Sequence, residues 1–296
     1  MTTMTTAPRA PSRTATPATA PVISMTMPER SSHGARVVFV AVNGYGKTTA
    51  GALGPDPVIV MSPDERGYET LYDHGLVPAV PLMRPRDWPE LIASLRALAS
   101  DQQGRRTVVL DALAGFEYML AQHICRTQYG NDWGKGGFLA WNEGPRVVAR
   151  TWPVLLGALQ ACAQRGLNVL ILGHAKITRF NNPDGPDYDR YECACGTADL
   201  WSRTRDWAEA VLFGNFVAIV DQAREQPNIA RAHGKAIGQQ RVLRCQYSAA
   251  ADAKNQYGLD PQYIMPDNPE QFADAFWRMV TRNKERTVAR NKEKSQ

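Results

Sequence analysis

No stretch of the 296-residue chain approaches the roughly 20 uninterrupted apolar side chains that a bilayer-crossing helix needs, which excludes a multi-span membrane protein. Cysteine is scarce. Cys125, Cys162, Cys193, Cys195 and Cys245 are five residues, an odd number spread over a long chain, so a disulfide scaffold is excluded and reduced thiols in a cytoplasm are expected. Internal repeats are absent, and 44% hydrophobic with 21% charged residues leaves too much core-forming material for wholesale disorder or a collagen-like chain. A strong field of one sign is missing too. Of the formal charge of +5, residues 1–36 carry +3 and residues 281–296 carry +4, leaving −2 for everything between. Affinity of the folded part for a polyanion must therefore come from local patches, with weak, salt-sensitive attraction added by the basic end.

What is present sorts into three parts. Residues 1–34 are rich in Thr, Ala and Pro with little apolar clustering, a composition expected to stay disordered as a flexible leader; its prolines argue against a transit peptide. Residues 281–296 read as a basic flexible tail. Between them, residues 35–280 alternate short apolar, β-branched runs with helical stretches, the pattern of a mostly parallel sheet flanked by crossover helices. The strand runs are 37–42, 57–61, 107–111, 168–173, 210–213, 216–220 and 241–247; helical periodicity marks 88–100, 113–126, 147–165 and 269–280. Two irregular stretches, 129–142 and 177–202, are long enough to be functional loops. In the first, Trp133, Lys135 and Trp141 read as a cover over the core or as a second contact loop.

The strongest local signal is the run 37–42 passing into Asn43-Gly44-Tyr45-Gly46-Lys47-Thr48-Thr49. A buried strand ending in a glycine turn that opens a helix aims several backbone N–H groups at one point. Lys47 would reach the β- and γ-phosphates of a nucleotide, and the Thr48 hydroxyl would bind Mg²⁺. The first glycine of the full phosphate-loop pattern is replaced by Ala41. Asp111 closes an apolar strand and is the expected second metal ligand, but Ala112 follows it, so a water-orienting carboxylate must come from elsewhere. Asp64 and Glu65, just after the run 57–61, are the candidates, with helix N-terminal acids as the plain alternative. His174, after the run 168–173, is placed to sense the γ-phosphate, or is simply structural.

Taken in order, these pieces resemble the RecA-like P-loop ATPases, and within them the phage-type, core-only ATP-binding proteins linked to single-strand annealing and recombination. The resemblance covers about 37–276 and adds three segments: Met61-Ser-Pro-Asp-Glu-Arg-Gly67, Leu172-Gly-His-Ala-Lys176 and Asp252-Ala-Lys-Asn-Gln-Tyr-Gly258. It implies a RecA-like P-loop NTPase fold, ATP with Mg²⁺ as cofactors, DNA-stimulated hydrolysis, and a homo-oligomer with ATP at subunit borders. In that family a Lys-x-Arg pair enters the neighbour's site; Lys254 takes the first position, while Gln256 stands at the second. The resemblance also implies single-stranded DNA at the segment after the sensor strand, through Lys176, Arg179, Phe180, Tyr188, Arg190 and Tyr191, where cations and aromatic faces mix. A single-strand-binding protein or a helicase is the implied partner, and the host cytoplasm the implied location. Two alternatives stay open. One is a nucleotide-gated adaptor without turnover; the other is a small-molecule kinase using Arg203 and Arg205 as a lid pair.

Overall fold

The computed structural model describes residues 33–221 and 235–292. Nearly all of the expected leader and the last four residues of the expected tail lie outside the described residues. In chain order the elements are β1 (Arg36–Ala41), α1 (Lys47–Ala52), β2 (Pro57–Met61), α2 (Gly67–Asp73), β3 (Leu82–Met83), α3 (Trp88–Ser100), β4 (Thr107–Asp111), α4 (Leu113–Gln128), α5 (Glu143–Thr151) and α6 (Pro153–Gln164). They continue with β5 (Asn168–Phe180), β6 (Tyr188–Cys193), α7 (Ala198–Trp207), β7 (Ala210–Asp221), β8 (Lys235–Arg244), β9 (Lys254–Asn255), β10 (Gln262–Ile264) and α8 (Pro269–Lys292).

The central sheet runs β10-β8-β7-β1-β5-β4-β2-β3 and is parallel from β7 to β3, with β8 and β10 antiparallel at one edge. Alternation explains why its strands are apolar throughout. Val38 and Val40 face the cluster built with α3, α4 and α6, whereas Val37, Phe39 and Ala41 face the one built with α1 and α8. Both faces are covered, as parallel sheets require. α3 shows the local logic: Asp87 Oδ1 accepts from the Glu90 amide at 3.0 Å, Pro89 occupies the first turn, and Leu91, Ile92, Leu95, Leu98 and Ala99 form the buried stripe.

Several expectations change. The stretch 177–202 is regular: β5 continues to Phe180 and pairs antiparallel with β6, and α7 follows. Two of its acids are ion partners along this hairpin, Asp187 with Arg179 and Glu192 with Arg190. The helix expected over 147–165 is two helices, divided at Trp152 because Pro153 has no N–H to donate. The runs 210–213 and 216–220 are one strand, continuous through Gly214, where a Cβ would lie 2.5 Å from the Tyr45 ring. The last helix runs on to Lys292, so the first part of the expected tail has helical backbone.

Candidate nucleotide-binding site

The end of β1 is tied to its neighbour by Val42 N–H donating to the Gly214 carbonyl at 3.2 Å, and the chain then turns through Gly44 and Gly46. Their φ angles of +74° and +101° lie in the left-handed region, which only glycine enters without strain. Ala41, at the place of the missing first glycine, buries its methyl group in the core beneath the loop. A cavity of about 320 Å³ opens over the turn and is lined by Asn43, Gly44, Gly46, Lys47, Thr48 and Thr49, together with Glu65, Asp111 and His174. Nine of the residues singled out in the sequence thus meet in one place. Gly67 and Leu71 complete the lining and were not singled out. Tyr45 alone among the loop residues turns its side chain away, into a cluster with Phe39, Phe216 and Phe272.

Several polar groups in the cavity are held by bonds within the chain. Lys47 is buried, and its ammonium donates to the carbonyls of Ala41 (3.0 Å) and Val42 (3.2 Å). Burial pulls its pKa down from the usual lysine value, opposed by the carboxylates of Asp111 and Glu65. The Thr48 hydroxyl donates to Asp111 Oδ2 at 2.7 Å. Burial pushes the Asp111 carboxyl up to about 6, with the Thr48 hydrogen bond and Lys47 opposing and Glu65 adding to the rise. A hydroxyl and a buried carboxylate held together form a hard-oxygen donor set that suits Mg²⁺. The left-handed turn leaves open space where a Cβ on Gly44 would stand, so the backbone is free to approach a polyphosphate. Both groups therefore fit the residues present.

The two candidate carboxylates separate here. Glu65 lines the cavity and its Oε1 accepts from Gly67 N–H at 3.3 Å; Asp64 is exposed and outside the lining. A Cβ at residue 67 would lie 3.2 Å from Glu65 Oε1, a tight approach, and in ordinary contact with Thr48 Oγ1 at 3.5 Å. Strand order makes the convergence possible, because β5 lies between β1 and β4, and β2 flanks β4 on the far side. His174 sits beside Ala41 in register, and its Nδ1 lies 3.3 Å from Asn43 Oδ1, which accepts from the Nδ1–H tautomer. Burial, then Lys47, lowers its pKa against an opposing contribution from Glu65, which favours the neutral ring.

Other expectations fall elsewhere. Lys254 is a helix-end cap: its ammonium donates to the carbonyls of Arg205 (3.0 Å), Asp206 (3.1 Å) and Ala208 (2.8 Å), which uses all three of its protons. Within this one chain Lys254 is thus held at the end of α7. Arg205 binds the buried Asp252 at 2.9 Å. On the β5–β6 hairpin, Arg190 is buried, donates to Glu192 and the Tyr247 hydroxyl, and stacks 4.2 Å over the Phe180 ring. Tyr191 stacks on Phe213 at 5.2 Å. Both side chains are engaged within the chain. Lys176 donates to the Cys195 carbonyl, and Arg179 to Asp187, from exposed positions; Phe180 and Tyr188 pack together at 5.2 Å. Trp141 is 93% exposed and covers no core. Among the described residues no helix is long and apolar enough to cross a membrane.

A comparison with curated proteins finds no match. A comparison with protein-family models matches residues 33–257 to the AAA domain, a span that contains β1, the loop, Glu65, Asp111 and His174. With that match over most of its length, and with the strand, loop and carboxylate arrangement described above, the chain belongs to the AAA domain family of P-loop ATPases.

Proposed function

We propose that the protein binds ATP with Mg²⁺ at this cavity, hydrolyses it with Glu65 as the water-orienting base, and works on single-stranded DNA through the β5–β6 hairpin as a RecA-like protein of recombination or replication. The observation that carries the reading is the meeting of Lys47, the Thr48–Asp111 pair and Glu65 around one cavity. Loop amides and the Lys47 ammonium would hold the polyphosphate, with Lys47 exchanging its two carbonyl partners for phosphate oxygens. Thr48 and Asp111 would hold Mg²⁺, which when bound supplies charge neutralisation on the transferred phosphoryl group. Glu65 would accept the proton of the attacking water.

Ala112 after Asp111, and Glu65 in the turn that follows β2, the strand beyond β4, favour the RecA-like form of the reading, in which the base comes from the end of a neighbouring strand. The link to DNA is mechanical. His174 hydrogen-bonds Asn43 of the loop, and the same strand runs on from His174 to Phe180. Three basic residues against Asp184, Asp187, Asp189 and Glu192 leave the hairpin slightly acidic, so its hold on DNA would rest on stacking at Phe180 and Tyr188, assisted by Lys176 and Arg179. Assembly into an oligomer with ATP at subunit borders belongs to the same reading, with Lys254 exchanging its helix-end carbonyls for the neighbour's nucleotide. The test is phosphate release with and without single-stranded DNA. Stimulation that is lost in Phe180→Ala while the basal rate persists supports the proposal; a rate indifferent to DNA removes the DNA part of it.

A further inference from the structure

Arg241 of β8 is distant in sequence from the phosphate loop and absent from the cavity lining, yet it touches the loop from behind. Its Nη1 donates to the Tyr45 carbonyl at 2.8 Å and lies 3.2 Å from where a Cβ on Gly46 would stand. The guanidinium centre sits 5.4, 5.5 and 5.0 Å from the ring centroids of Tyr45, Phe216 and Phe272, and the side chain is only 13% exposed. Among the described residues its one ion partner, Asp267, is 3.8 Å away and 88% exposed, a screened and weak partner. Desolvating a cation in an aromatic cage is costly, and the main hydrogen bond received in return goes to the loop backbone.

The geometry of one peptide group gives that bond a consequence. In a trans peptide the C=O of Tyr45 and the N–H of Gly46 point in opposite directions. Anchoring the carbonyl to the rear therefore turns the Gly46 amide toward the front, and Gly46 lines the cavity. Gly46 is also the N-cap of α1, with no side chain capping the helix, and at φ +101° it has no Cβ to fix the orientation of its peptide. We infer that Arg241 is a positioning residue of the nucleotide site, fixing the Tyr45–Gly46 peptide so that its amide faces the polyphosphate before the ligand arrives. The inference rests on the nucleotide-binding reading of the cavity. A planar guanidinium suits the role because it stacks between rings while directing one N–H at a carbonyl; a lysine keeps the charge and loses the plane.

Calorimetric titration of ATP·Mg²⁺ into the full chain, Arg241→Lys and Arg241→Met separates positioning from general support. Positioning predicts an unchanged number of sites per chain with the dissociation constant raised, about tenfold or more in Arg241→Met and less in Arg241→Lys, as expected for losing a charge-assisted hydrogen bond. A merely structural role predicts the reverse, fewer competent sites at an unchanged dissociation constant. If Arg241→Met fails to fold, Arg241→Lys decides alone, and a wild-type dissociation constant in that variant overturns the inference. Absence of binding in the parent chain would instead sink the nucleotide reading itself.

Discussion

Asp111 answers to two opposed demands. As a metal ligand it must be ionised, while its burial under the loop raises its pKa to about 6. A carboxyl raised in the folded state is held protonated there over a range in which the unfolded chain has released the proton. Its contribution to stability is therefore greatest at low pH, falls as pH rises from the ordinary 3.8 through about 6, and is constant above. Without nucleotide or magnesium, Asp111→Asn is expected to raise the stability at pH 8 by on the order of 2–3 kcal/mol, seen as a higher melting temperature, and to leave both nearly unchanged near pH 4. The same variant should lose the magnesium dependence of ATP binding; a destabilised Asp111→Asn at pH 8 would contradict the assignment. Glu65 carries the chemical claim. Glu65→Gln is expected to slow phosphate release about a hundredfold with ATP affinity preserved, and Asp64→Asn to change neither, read by single-turnover kinetics. Equal losses in both variants would return the two acids to the ambiguity they have in the sequence. That ambiguity is physical, because both follow β2 and only the turn before α2 decides which one faces the cavity. The loop residues were legible because they are contiguous. The inward turn of Tyr45 was not, since its ring partners Phe216 and Phe272 come from remote segments.

At the scale of elements, local pattern was enough wherever burial follows one period. β2, β4 and α3 lie where short apolar runs and helical periodicity put them. It was insufficient where a remote contact decides. The β5–β6 hairpin reads as a loop until Arg179 and Arg190 are given their partners, and Lys254 reads as a free cation because the carbonyls it caps lie 46 to 49 residues away. α8 is the clearest case. Its periodicity predicts a helix but says nothing of its work, which is to seat α1: Trp277 Nε1 donates to the Ala50 carbonyl at 2.7 Å, and a Cβ on Gly54 would meet the indole at 2.8 Å. This helix lies beyond the residues matched to the AAA domain. Trp277→Ala is expected to cost about 3–5 kcal/mol of stability, with Trp277→Phe intermediate because it keeps ring volume and loses the hydrogen bond. Chemical denaturation gives the test. A loss below about 1 kcal/mol in Trp277→Ala would mean that α8 does not hold α1 in place.

For the molecule as a whole, the sheet edge is the unit of function. Parallel strands deliver the loop, His174, Asp111 and Glu65 to one end of the sheet, and β5 leaves that end to become an arm of the hairpin. Nucleotide and hairpin are thus two loads on one strand, and the account stands or falls on the first of them. Its most direct test is calorimetric titration of the purified full chain with ATP, with and without Mg²⁺, beside Lys47→Ala. The account predicts one site per chain, tightened by magnesium and lost in the variant. No heat from a folded parent chain, or equal binding by Lys47→Ala, would contradict it.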